Sequence, residues 1–141
     1  MTRQISNIFT GASLLAVLAV APLLAQSPNT MTAQIPFAFV VGNRTLPAGE
    51  YVVRPEGPHG VLIQRTDSKA STFALPWSIQ SPTMAAHPKL VFHQYGDAYF
   101  LSELWRAGTN TGQKLNMSSR ESELARGKAT PEVRSIIAQQ R

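Results

Sequence analysis

The pattern of apolar and polar positions changes character at residue 33. Beyond it, short apolar runs are broken by Gly or Pro about every eight to twelve residues, the spacing of an all-β sandwich or barrel. Ile35, Phe37, Phe39 and Val41 alternate with Pro36, Ala38 and Val40, predicting one strand across residues 35–41. Gly42 and Asn43 then turn the chain. LPAGEY, residues 46–51, predicts a second turn, because Pro47 fixes its own φ and Gly49 tolerates a positive one. Tyr51, Val52 and Val53 open another strand, which Pro55, Gly57, Pro58 and Gly60 close. Residues 61–66 and 71–75 read as two antiparallel strands joined at Asp67, Ser68 and Lys69.

Three prolines in PWSIQSPTMAAHP, residues 76–88, predict a long surface connection without regular structure. Trp77 within it is expected to fold back as a lid on the core; an exposed indole would instead mark a binding surface. GTNTG, residues 108–112, is a further turn cluster, and residues 113–117 supply a short strand. Helical grammar begins only at Ser118, which stands in capping-box spacing to Glu121, with Gly127 closing the segment. Thr130 and Pro131 open a second helical segment carrying Val133, Ile136 and Ile137 as a narrow apolar stripe. These segments are a docked cap or a frayed tail.

Chemistry-capable side chains concentrate in KLVFHQYGDAYFLSELW, residues 89–105. Gly96 and Asp97 form a glycine-first connection that predicts a β-hairpin with Tyr95 opposite Ala98. In regular register Val91, His93, Tyr95, Phe100, Ser102 and Leu104 share one face. Leu90, Phe92, Gln94, Tyr99, Leu101, Glu103 and Trp105 share the other. His93 and Glu103, an acid–base pair in one dimension, then point to opposite sides of the sheet. A slip of one residue would reunite them. His93 is expected as a satisfied core histidine and Glu103 as the partner of a basic residue at the rim. Both faces are rich in apolar side chains, so each needs a cover: opposing strands on one side, and the C-terminal helix, a partner or a ligand on the other.

Residues 1–25 are expected to be a secretory signal peptide. Arg3 precedes the uncharged stretch GASLLAVLAVAPLLA, residues 11–25, which polar Gln26 and Ser27 follow. Cleavage near Ala25 would leave roughly 115 residues, enough for one domain, and no stable membrane anchor. The net charge of +5 has Arg3 as one contributor and is scattered among acids, which argues against nucleic-acid binding. The chain has no cysteine, so stability rests on packing, and a thiol nucleophile is excluded. His59, His87 and His93 lack metal-site spacing, no serine sits in a G-x-S-x-G setting, and the glycines form no phosphate cradle. No catalytic residue, metal or cofactor is therefore expected.

IPFAFVVGNRTLPAGEYVV, residues 35–53, with YGDAYFL, residues 95–101, and ESELA, residues 121–125, resembles a group of small exported bacterial proteins of unassigned function. The group combines a signal peptide, an IPFxFxVG strand, an LPAGxY turn and a YGDxYFL hairpin. The resemblance implies a common fold and export, and no activity. The expectation is an all-β protein, a small antiparallel barrel or sandwich of about six to eight strands with short C-terminal helical segments. Residues 26–33 form a linker, 34–117 the β domain and 118–141 the tail. It is expected to be non-catalytic, periplasmic or extracellular, and to act by binding or assembly with an envelope or extracellular partner. The alternatives are a carrier of a small apolar ligand and a carbohydrate-binding surface built on Trp77, Tyr99 and Trp105.

Overall fold

A computed structural model describes residues 29–140; the expected signal peptide lies outside them. The fold is a sandwich of two sheets, and the sheets do not close into a barrel. In the first sheet, β1 (Met31–Ile35) pairs with β4 (Gly49–Glu56), followed outward by β5 (Gly60–Arg65) and β6 (Ser71–Ala74). The second is built on the hairpin of β8 (Lys89–Tyr95) and β9 (Ala98–Trp105), continued by β10 (Thr111–Lys114) and β7 (Trp77–Gln80). The small hairpin of β2 (Phe39–Val41) and β3 (Arg44–Leu46) joins it, with Val40 of β2 pairing parallel to Phe100.

Several expected boundaries move. The strand foreseen at residues 35–41 is two strands in different sheets, because Pro36 interrupts the ladder and the chain crosses the sandwich there. The last three residues of the expected linker, 31–33, already belong to the first sheet: Met31, Ala33 and Ile35 are buried and alternate with Thr32 and Gln34. The connection 76–88 also contains regular structure. WSIQ lies between Pro76 and Pro82, so the prolines bound β7 without interrupting it, and β10 offers it a partner.

The tail divides. α1 (Ser119–Arg126) forms as expected, with Ser118 Oγ accepting from the Glu121 N–H at 3.1 Å. The second helical segment is instead β11 (Glu132–Ile137), paired along β8, and β12 (Gln139–Gln140), paired with β1. Three of its six residues are β-branched, and β8 presents an edge to them, so pairing overrides the Thr130–Pro131 cap signal.

Between the sheets the core is aromatic and dense. Phe39 meets Tyr51 and Phe92 edge-on, at ring-centroid distances of 5.0 and 5.5 Å, and Phe37 meets Phe92 edge-on at 5.0 Å. Tyr51, wholly buried, donates its hydroxyl to the Pro47 carbonyl at 2.5 Å and so ties down the LPAG turn. Burial pushes the Tyr51 phenol above its ordinary pKa.

Candidate functional site

The hairpin turn forms as the sequence predicts: Gly96 has φ +59°, Tyr95 faces Ala98 and His93 faces Phe100. Regular register then fails. Phe92 pairs with Leu101, but Val91 pairs with Glu103, leaving Ser102 as the extra residue of a β-bulge. Its carbonyl is not lost, since it accepts from the Leu115 N–H at 2.8 Å. The reason is energetic. Without the bulge Glu103 would point into the sandwich core, where an unpaired carboxylate costs several kcal/mol, roughly, and Leu104 would point out. With it, Leu104 joins Leu90, Phe92 and Leu101 in the core.

The bulge corrects one expectation about chemistry, because Glu103 now shares the outer face with His93. The two still do not pair. Glu103 accepts from the Trp105 indole N–H at 2.8 Å, where a basic residue was expected. His93 Nδ1 lies 2.7 Å from Oε1 of Glu121, brought in by α1. The Tyr95 hydroxyl donates to the same oxygen at 3.4 Å. Glu121 is only 3% exposed, so this cluster bolts the helix onto the outer face of the hairpin. Burial, then the charge and hydrogen bond of Glu121, raise the Tyr95 phenol above its ordinary pKa. The capping-box spacing concealed this role: only the Ser118 half of the box forms, and the carboxylate turns to the histidine instead. A histidine oriented by a carboxylate is half of a base-and-orienter arrangement, and no Ser, Thr or Cys is hydrogen-bonded to the ring among the described residues.

The three aromatic residues singled out as ligand-binding candidates separate. Tyr99 lies on the inner side, stacked on Phe37 with ring centroids 3.8 Å apart. Trp105 is on the outer face but only 8% exposed; its ring lies over Gly112, where any β-carbon would collide with it. The loop around Met84 to Ala86 lines one cleft with it. Trp77 alone is open, at 46%, and is not the lid on the core expected of it. It stands at the end of a cross-strand row running Ser135, Val91, Glu103, Lys114, Trp77. Among the described residues no group of three His, Asp or Glu side chains is placed to hold a metal.

A different surface emerges around Trp77. β6 ends the first sheet and β7 ends the second, and Leu75 and Pro76 carry the chain between them. Phe73 and Leu75, at 52% and 61% exposure, precede Trp77 at alternate positions. Beside them a cleft of about 250 Å³ is lined by Val41, Phe73, Ala74, Leu75 and Leu115. Residues 70–88 contain no Asp, Glu, Lys or Arg. Sheet edges are ordinarily guarded by charges, and this one is not. The sequence signal was present in that uncharged stretch; its prolines drew the reading toward an irregular loop. No protein-family model, curated protein or solved structure matches the chain.

Proposed function

We propose that the protein is an exported, non-catalytic β-sandwich domain that acts by binding or assembly at the cell envelope or outside the cell, through the side of the sandwich formed by β6 and β7. The observation that carries this reading is the run Phe73, Leu75, Trp77, three large apolar side chains exposed at alternate positions of an uncharged stretch that joins the edge strands of the two sheets. The leader-like residues 1–25 and the resemblance to small exported bacterial proteins support the compartment.

Shape argues for a surface role over a carrier role. Small-molecule sites commonly enclose about 300–1,000 Å³ and bury most of the ligand; the cleft beside Phe73 offers about 250 Å³ and the one between Tyr95, Tyr99 and Leu124 about 310 Å³, and both are open to solvent. Such a cleft suits one inserted side chain of a macromolecular partner. The aromatic packing of Phe37, Phe39 and Phe92 favours a filled interior. Of the three rings named for a sugar platform, Trp105 is sealed and Tyr99 is stacked on Phe37 at the inner side, which leaves Trp77 alone.

The reading is tested by placing a photo-crosslinking phenylalanine analogue at Leu75, and separately at Val133 on the far edge, in cells that make the protein. Discrete adducts at position 75 that are missing at position 133 are expected. Equal labelling at the two positions, or none at 75, would remove the β6–β7 side as the working surface.

A further inference from the structure

We infer that α1 is a hinged cover over the outer face of the β8–β9 hairpin, latched by the Glu121 carboxylate, and that residues 116–131 open as a unit while the sandwich stays folded.

The segment hangs between two anchors. At its start Leu115 is buried and donates its N–H to the Ser102 carbonyl; at its end Glu132 begins the ladder of β11 on β8. Between these points the turn and cap hydrogen bonds of the backbone stay inside the segment, from Ser122 to Ser118, Gly127 to Glu123, Lys128 to Ala125 and Ala129 to Leu124. Among the described residues, its hydrogen bonds to the sandwich are those with His93 and Tyr95, and both end on the same oxygen, Oε1 of Glu121. One side chain therefore carries the whole polar attachment.

Apolar packing adds little to it. Glu121 is the one buried residue of α1, and apart from Leu124 and Ala125 every side chain of the helix is polar or charged. Where Leu124 and Arg120 meet Val40, Tyr95 and Ala98, the cleft of about 310 Å³ leaves the seam unfilled. At the exit Lys128 is held in the left-handed region, at φ +60°, a strain that opening relieves.

The cost of a local opening is set by what it exposes. Here that is the Glu121 cluster and Phe100, which shares the face of His93 and is only 1% exposed. A helix of this length is not stable by itself, so α1 unwinds as it leaves the sheet. The closed form hides His93, Tyr95 and Phe100, and the open form presents them. The chain thus has a second face, remote from β6, whose exposure one carboxylate controls.

The test is native-state amide hydrogen exchange of the purified chain, read by mass spectrometry over residues 116–131 and 89–105 at rising urea concentrations below the unfolding transition. Residues 116–131 should exchange about tenfold faster or more, and with little dependence on urea, because a local opening exposes little surface. Glu121→Ala should speed that exchange by a further factor of about ten or more, as the loss of a hydrogen bond to a charged group implies. Tyr95→Phe removes the longer of the two bonds and should speed it less. Exchange of residues 116–131 at the rate and urea dependence of residues 89–105 would mean that α1 opens only when the sandwich unfolds, and would overturn the inference. Local opening that Glu121→Ala leaves unchanged would overturn the latch. The wild-type series decides the first point without any variant, so a variant that fails to fold does not remove the test.

Discussion

The chain crosses between the two sheets at both sides of the sandwich, and the crossings are built differently. On the C-terminal side, β11 leads through Ala138 into β12, and everything there is tied down. Ala138 is buried in the core and donates its N–H to the Pro88 carbonyl at 2.8 Å. The Gln140 side chain accepts from the Ala107 N–H at 3.1 Å, and Arg134 Nε donates to Gln94 Oε1 at 2.8 Å. On the other side Leu75 and Pro76 pass between β6 and β7 in a stretch without a charged residue, with the Phe73, Leu75 and Trp77 side chains exposed. The lesson is that exposed apolar residues are informative through their surroundings. Val133 and Ile137 are also exposed, but they stand among Glu132, Arg134 and Ser135 and read as a guarded edge.

The largest effect should come from placing the same change on each side. Ala138→Asp would bury an unpaired carboxylate and is expected to cost about 3 kcal/mol or more. Leu75→Asp, already exposed, should cost about 0.5 kcal/mol or less while abolishing association. Urea unfolding of the two variants measures the contrast, and similar losses would mean that Leu75 is part of the packed structure.

Next in size is the cover on the second sheet. Glu121→Ala removes a charge-assisted hydrogen bond to His93 and should cost about 2 kcal/mol, read as a lowered melting temperature. If melting is unchanged, α1 is not held by that contact. A smaller effect is expected at alkaline pH. The Tyr95 phenol has its pKa raised above the ordinary 10.0 in the folded chain, so the native state favours its neutral form. That stabilisation is complete below the unfolded value and is lost as pH rises through the folded one. Stability should therefore decline above pH 10, and less steeply in Tyr95→Phe. Equal slopes would contradict the burial of that hydroxyl. The smallest effect belongs to Val133→Lys, about 0.5 kcal/mol at most, because the guarded edge already tolerates charge.

Local signals were legible in the sequence, and signals that depend on a distant neighbour were not. The Gly96–Asp97 turn, the Gly42–Asn43 turn and the Ser118 cap all act within a few residues, and each forms where it was read. Counting outward from the hairpin turn assigns faces correctly as far as Phe92 and Leu101. Past that point the core's rejection of Glu103 introduces the bulge, and the count inverts. The last segment met the same limit. Its helix-start residues were real local preferences, but the open flank of β8 lies some forty residues away, roughly, and decided the outcome. Glu121 was read as half of a cap because its true partner, His93, is also remote in sequence, 28 positions away. Trp77 met that limit too, since the flanking prolines were legible while the pairing of its strand with β10 was not.

The account turns on which crossing is the working surface, and amide hydrogen exchange reads both in one experiment. Exchange would be followed by mass spectrometry across residues 71–80 and 132–140, for the purified chain alone and mixed with an envelope fraction of cells that make the protein. The first segment should become protected in the mixture and the second should not change. Protection confined to residues 132–140, or none in either segment, would contradict the claim that β6 and β7 form the side through which this protein binds.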